Sequence, residues 1–217
     1  MKIMIISTNK KSYPDTIILI LDQGEGRSTY EEKNNIVQVK DEKGKIVGYN
    51  FFKVSDFLDY DKLPNGQVKP DQKLFDILND QLTKAGFDHK LELGKPTLVY
   101  GFVKTCEPHP DSDHLHVTTI NVGDAEYQIV CGAPNIQQGQ KVVVALPGTL
   151  MPNGQQIWPG ELRGVKSSGM ICSARELGLP HAPQKRGILV VPDTFKVGDE
   201  FEPTKCDELL ACGQITL

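Results

Sequence analysis

Thr97-Leu98-Val99-Tyr100-Gly101-Phe102-Val103-Lys104-Thr105-Cys106 opens the part of the chain whose texture decides its fold. β-Branched and aromatic residues crowd this stretch, and such residues fit a pleated, half-buried surface. Short runs of the same kind recur at 115–122, 127–131, 141–146, 160–163 with 169–172, and 187–191. Between them stand Gly- and Pro-bearing turns, including Asn121-Val122-Gly123-Asp124 and Pro152-Asn153-Gly154. Turn signals every ~8–12 residues between short strands mark a small all-β barrel.

Five to six strands in roughly 100 residues fit an OB-fold barrel, which closes on itself and hides most of its sheet edges. The expected fold class is an α+β N-terminal domain followed by this all-β barrel. The expected boundaries are 1–92 for a small α+β domain of unassigned role, 93–202 for the barrel and 203–217 for an acidic C-terminal tail. Leu91-Glu92-Leu93-Gly94-Lys95-Pro96 reads as the linker. Upstream, 3–7 and 16–21 are apolar runs consistent with buried strands, with Tyr13-Pro14-Asp15 as a turn between them. Strands at 36–40 and 45–52 flank Asp41-Glu42-Lys43-Gly44, a hairpin signal. Ser55 is placed to cap a short helix carrying Phe57 and Leu58, ended by Pro64-Asn65-Gly66. A longer helix follows. Pro70 suits its first turn, and Asp71 adds negative charge to its positive end. Leu74, Ile77, Leu78, Leu82 and Ala85 form one stripe that packs on the sheet, and Gly86 suits the left-handed position beyond the end.

Composition narrows the classes. The chain has 217 residues and a net charge of −4. Residues 94–193 carry eight basic and eight acidic side chains, so nucleic-acid affinity has to come from a local patch. No apolar run reaches the ~20 residues of a membrane helix, and no signal peptide is evident, so a cytoplasmic location is expected. The five cysteines, Cys106, Cys131, Cys172, Cys206 and Cys212, form no Cys-x-x-Cys pair and read as apolar thiols in a reducing compartment.

Three clusters offer chemistry. Glu107-Pro108-His109-Pro110-Asp111-Ser112-Asp113-His114-Leu115-His116 has the composition of a metal site, but two prolines make it a rigid turn entering a strand, so no metal and no cofactor are expected. Leu162-Arg163-Gly164-Val165-Lys166-Ser167-Ser168-Gly169-Met170-Ile171-Cys172-Ser173 combines cations, hydroxyls and glycines in one surface loop. Ser173 and Glu176 have the spacing of a capping box opening a short helix, whose N-terminus beside Arg163, Lys166 and Arg175 would receive an anion. Val130-Cys131-Gly132-Ala133-Pro134-Asn135 ends a strand in a polar turn. Cys131 has no adjacent base and reads as core. Tyr100, Phe102, Tyr127 and Trp158 are possible stacking faces, but alternating aromatic residues in strands are more often core.

These stretches together resemble the tRNA-binding OB domain found near the N-terminus of the bacterial phenylalanyl-tRNA synthetase β subunit, at the C-terminus of many methionyl-tRNA synthetases and in stand-alone tRNA-binding proteins. His109-Pro110-Asp111-Ser112-Asp113-His114-Leu115 is similar to the family's His-Pro-x-Ala-Asp-x-Leu turn, with Ser112 in place of the usual Ala. Val144-Ala145-Leu146-Pro147-Gly148 and the Cys-Gly-Ala-Pro-Asn stretch resemble its barrel strands, and 162–173 its most specific signature. The two-domain layout resembles the YtpR-like bacterial family. The resemblance implies tRNA contact by shape and backbone, through Arg163, Lys166, Ser167, Ser168, Met170 and Ser173.

The sequence therefore points to a non-catalytic RNA-binding protein. Arg163, Lys166 and Arg175 would take phosphates, while Ser167, Ser168 and Asn135 would bond ribose or exposed bases. The alternative is a protein–protein adaptor, with the barrel docking a protein partner or a second copy as a homodimer. An enzyme is disfavoured: the synthetase signatures His-Ile-Gly-His and Lys-Met-Ser-Lys-Ser are missing, and 1–92 holds no recognisable nucleophile–base pair.

Overall fold

The computed structural model describes residues 4–215. The chain divides into two compact units, Met1–Lys95 and Pro96–Leu217. In the first, β1 (Ile5–Asn9), β2 (Tyr13–Ile20), β3 (Thr29–Lys33), β4 (Ile36–Lys40), β5 (Ile46–Phe52) and β6 (Gly66–Gln67) form an antiparallel sheet of order β3-β4-β5-β2-β1-β6. Alternation sorts its faces. Ile6, Leu19 and Tyr49 are register partners on one face, as are Ile17, Phe51 and Ile36. That face packs against Leu74, Phe75, Leu78 and Leu82 of α1 (Gln72–Lys84).

Several local expectations shift here. Asp71 is the N-cap itself, its carboxylate accepting the Leu74 N–H at 2.7 Å, so Pro70 precedes the helix. Tyr13-Pro14-Asp15 lies inside β2, where Asp15 at φ 52 turns its carboxylate onto the Ser55 N–H and hydroxyl. Ser55 therefore caps nothing. It sits in a 3-10 turn, Val54–Asp56, followed by a second at Tyr60–Lys62. Strand β3 was not anticipated, because its Thr-Tyr-Glu-Glu-Lys sequence has no buried face. Asn34 and Asn35, both at positive φ, make the tight turn into β4. Lys33 and Asn34 then donate to the Gly86 and Lys84 carbonyls at the end of α1. The strand expected at 3–7 is seen from Ile5, and Ile3 lies outside the described residues.

The second unit is β-rich and barrel-like. Its strands are β7 (Leu98–Pro108), β8 (His116–Asn121), β9 (Glu126–Cys131), β10 (Lys141–Ala145), β11 (Pro159–Leu162), β12 (Val165–Ser168), β13 (Met170–Ile171) and β14 (Val190–Val191). The main sheet runs β13-β10-β7-β8-β9, with β14 also on β10. Strand β10 reads Lys-Val-Val-Val-Ala because both of its faces are covered. Val142 and Val144 meet Val99, Val103, Ile120 and Ile129 inside the barrel. Val143 and Ala145 meet Cys172, Leu177, Phe195 and Phe201 outside it. Gly101 keeps the interior passable, since a Cβ there would stand 2.6 Å from Ile120 and 2.7 Å from Val144.

Residues 203–217, expected as an acidic tail, contain a helix, α2 (Pro203–Ala211). Cys206 is fully buried, and Leu209 and Leu210 pack on the same outer core. The Tyr100 hydroxyl accepts the Glu202 N–H at 3.0 Å and lies 3.5 Å from Cys206 Sγ. The acidic composition concealed an amphipathic helix started by a proline in its first turn. Asp207 ties α2 to the preceding loop by accepting the His181 N–H at 2.8 Å and lying 2.9 Å from His181 Nδ1. The backbone N–H of His181, with its imidazole, holds the Asp207 carboxyl below the usual carboxylate range. A depressed folded-state value contributes stability above the unfolded value and loses it as pH falls through the folded one. The stability margin of the native protein over Asp207→Asn should thus be full at neutral pH and close in acid, as measured by thermal melts across pH.

Candidate nucleic-acid interface

The glycine-rich signature folds as a hairpin. Within the expected surface loop at 162–173, residues 165–168 form strand β12, paired with β11 in the register Leu162↔Val165, Glu161↔Lys166, Gly160↔Ser167 and Pro159↔Ser168. Arg163 and Gly164 turn it, at φ 47 and 76, a geometry open to glycine and costly for arginine. All four residues of β11 are exposed, and Leu162 at the turn keeps 44% of its surface.

Two turns meet at the hairpin tip. Arg163 Nη1 donates to the Asp111 carbonyl at 2.9 Å. His109, only 4% exposed, accepts the Asp111 N–H on Nδ1 at 3.0 Å, and its Nε2 lies 3.1 Å from the Leu162 carbonyl. A carbonyl can only accept, so Nε2 carries the proton and the ring is neutral with both nitrogens satisfied. The His-Pro turn between β7 and β8 and the signature hairpin are thereby one assembly.

The histidines of 107–116 diverge. His109 faces the hairpin, exposed His114 contacts Asp113 at 2.9 Å, and His116 lies in β8 with a buried, unpartnered Nδ1. His114 is the main cause of the lowered Asp113 carboxyl pKa, with a smaller contribution from the Arg163 charge. Among the described residues no three His, Cys, Asp or Glu side chains group to hold a metal.

The polar residues expected at the interface separate into two sets. Arg163, Lys166 and Arg175 are exposed, and Ser168 and Met170 are half-buried. Ser167 is committed to the barrel: its Oγ accepts the Val130 N–H at 3.1 Å, beside Gln128 Nε2 donating to the Lys166 carbonyl at 2.8 Å. Asn135 is likewise committed, its amide accepting the Ile188 N–H and donating to the Ile188 carbonyl. Ser173 and Glu176 form the capping-box hydrogen bonds, with Ser173 N–H to Glu176 Oε2 at 2.7 Å and Glu176 N–H to Ser173 Oγ at 3.2 Å. The chain then makes turns at 174–178, so no helix opens at Ser173 to offer an N-terminus to an anion. Tyr100 is core, Trp158 half-buried. Burial raises the thiol pKa values of Cys131, Cys172 and Cys206. Cys106 is half-buried and Cys212 exposed. Sequence reading missed His109 as the link between motifs, because nothing local to 109–111 announces a partner at Leu162.

Residues 98–200 match a family model described as "Putative tRNA binding domain". Residues 23–94 match one described as "Domain of unknown function (DUF4479)". The chain is 42% identical over 197 residues to "Putative tRNA-binding protein YtpR" of Bacillus subtilis, covering 89% of this chain and 97% of that protein. The chain belongs to the YtpR family. It is also 41% identical over 163 residues to the phenylalanine–tRNA ligase β subunit of Oceanobacillus iheyensis, covering 72% of this chain but 19% of that subunit. The Lactiplantibacillus plantarum β subunit is 48% identical over 111 residues, or 49% of this chain and 14% of its own length. This YtpR-family chain thus shares only a small part of the synthetase subunits.

The committed hydroxyl gives a direct check. Ser167→Ala leaves the Val130 N–H without its acceptor and should cost about 1–2 kcal/mol in chemical denaturation. An unchanged midpoint would return Ser167 to the pool of ligand-facing groups.

Proposed function

We propose that the protein binds tRNA without catalysing a reaction, using residues 96–217 as an OB-fold. The strand order supports that fold: β7, β8 and β9 form a meander, β10 crosses to the far side of β7, and β13 lies beyond β10. In OB-folds the loop after the first strand and the long loop between the fourth and fifth strands border the ligand face. Here these are the His109–Leu115 turn and the segment bearing the β11–β12 hairpin. The observation that carries the reading is the exposed Arg163, tethered through Asp111, with exposed Lys166 on the same hairpin, inside the matched span.

Arg163 spends one of five N–H donors on Asp111, so the rest of its guanidinium can take phosphate oxygens. Lys166 adds a point charge, and Arg175 with Ser168 extends the set. Phosphate and sugar contacts position a protein without reading sequence, which fits shape-based recognition of a folded RNA. Ser167, Ser173 and Asn135 act in this reading as braces of the surface and not as contacts. The raised thiols and the fully bonded His109 support a binding role over nucleophilic or acid–base chemistry. Among the described residues no helix is long and apolar enough to cross a membrane. The proposed cytoplasmic location is supported by the similarity to a tRNA-binding protein and to tRNA ligase subunits. The balanced charge of residues 94–193 favours the second reading, a protein partner or second copy docking on the barrel.

Arg163→Glu with Lys166→Glu should abolish the gel shift of unfractionated tRNA while leaving the melting temperature near that of the native protein. Neutralising both should flatten the slope of log K against log salt by about two. Unchanged affinity in the double variant, with altered co-purifying proteins, would transfer the hairpin to the second reading.

A further inference from the structure

We infer that His109 is the positioning residue of the β11–β12 hairpin, fixing through its neutral Nε2–H tautomer where Arg163 presents its charge. The inference rests on the tRNA-binding reading for its consequence, but its structural content stands apart from the ligand.

The hairpin's strands pair with each other, and all of β11 is exposed, so apolar burial does little to orient the tip. At the tip two contacts reach outside the hairpin: Arg163 to the Asp111 carbonyl, and His109 to the Leu162 carbonyl. Arg163 is exposed and its contact is open to competition from water and phosphate. His109 is 4% exposed and its bond to Leu162 is partly buried, and a bond partly shielded from water is the firmer anchor. The imidazole also fixes its own support, since Nδ1 takes the Asp111 N–H while Arg163 takes the carbonyl of the same residue. Asp111 is thus held at both backbone polar groups, and the hairpin is held to the His-Pro turn at two neighbouring positions, Leu162 by His109 and Arg163 by Asp111. A loose tip would have to be ordered on RNA binding, and this clamp lowers that cost in advance.

Two near-isosteric variants separate the nitrogens. His109→Asn retains an acceptor near Nδ1 for the Asp111 N–H but cannot reach Leu162. His109→Gln extends an amide N–H toward the Leu162 carbonyl. The measurements are amide hydrogen exchange at residues 160–166, thermal melting, and tRNA affinity by filter binding, all on the full chain. Positioning predicts faster exchange confined to 160–166 in His109→Asn and tRNA affinity about five- to tenfold weaker, as loss of one hydrogen bond implies. His109→Gln should recover most of both. Native-like exchange at 160–166 in His109→Asn would overturn the inference, and so would equal, barrel-wide loss of protection in both variants, which marks a residue needed only for folding. A loosened hairpin with native tRNA affinity, where Arg163→Glu abolishes binding, would overturn its link to recognition. If the native protein binds no tRNA at low salt, the proposed function falls, while exchange at 160–166 still decides the placement of the hairpin.

Discussion

The second unit depends on closing a sheet at a seam that carries no ladder of main-chain bonds between its last strands. Strand β9 is the end of the path β13-β10-β7-β8-β9. It meets the signature segment through the Val130 N–H on Ser167 Oγ and the Gln128 amide on the Lys166 carbonyl. Gly169 lets the chain cross there. At φ 132, a Cβ would stand 2.8 Å from the Ala145 carbonyl and 3.1 Å from Ile129, so the position admits neither the conformation nor the volume of another residue. An open edge would expose unpaired backbone groups, and the seam covers part of one with side chains. Because the seam holds 166–169, it anchors the β12 side of the hairpin at its root.

A fixed root does not fix a tip. The turn at Arg163-Gly164 lies at the far end of a short hairpin whose β11 is exposed throughout, and the His-Pro turn holds it. This division of labour bears on the electrostatics. The barrel segment balances its charges, so a broad positive field is not available to gather RNA. A small number of cations can compensate only by being placed well before the ligand arrives, since each ordered side chain otherwise costs roughly 0.5–1.5 kcal/mol on binding.

Much of this was legible in the chain. Val142-Val143-Val144-Ala145 reads as a strand, and the stripe from Leu74 to Ala85 as a helix on a sheet, because burial writes itself into local sequence pattern. Arg163, Lys166 and Arg175 were legible as exposed cations. Three things were hidden by a common cause. Strand β3 has no apolar face, α2 lies in acidic composition, and β12 is made of Val-Lys-Ser-Ser, so in each the local pattern is set by solvent or by a distant partner. The roles of Ser167 and Asn135 were hidden in the same way: their partners, Val130 and Ile188, are far along the chain.

The polar residues of the signature therefore do two different kinds of work, and their chemistry alone does not separate them. A serine offers the same hydroxyl to a ribose as to a strand N–H, but a half-buried N–H left unmatched costs about as much as the contact to RNA would gain. Folding claims such a hydroxyl first, since the barrel must close before there is a surface to bind with. Charged groups are sorted the opposite way: burying Arg163 or Lys166 would be costly, so the fold leaves them in water. In a motif that mixes glycine, serine and cations, the glycines and the better-placed hydroxyls are consumed by the scaffold, and the cations are what remains for a ligand. Resemblance in such a motif transmits the placement of charge more securely than a full set of contacts.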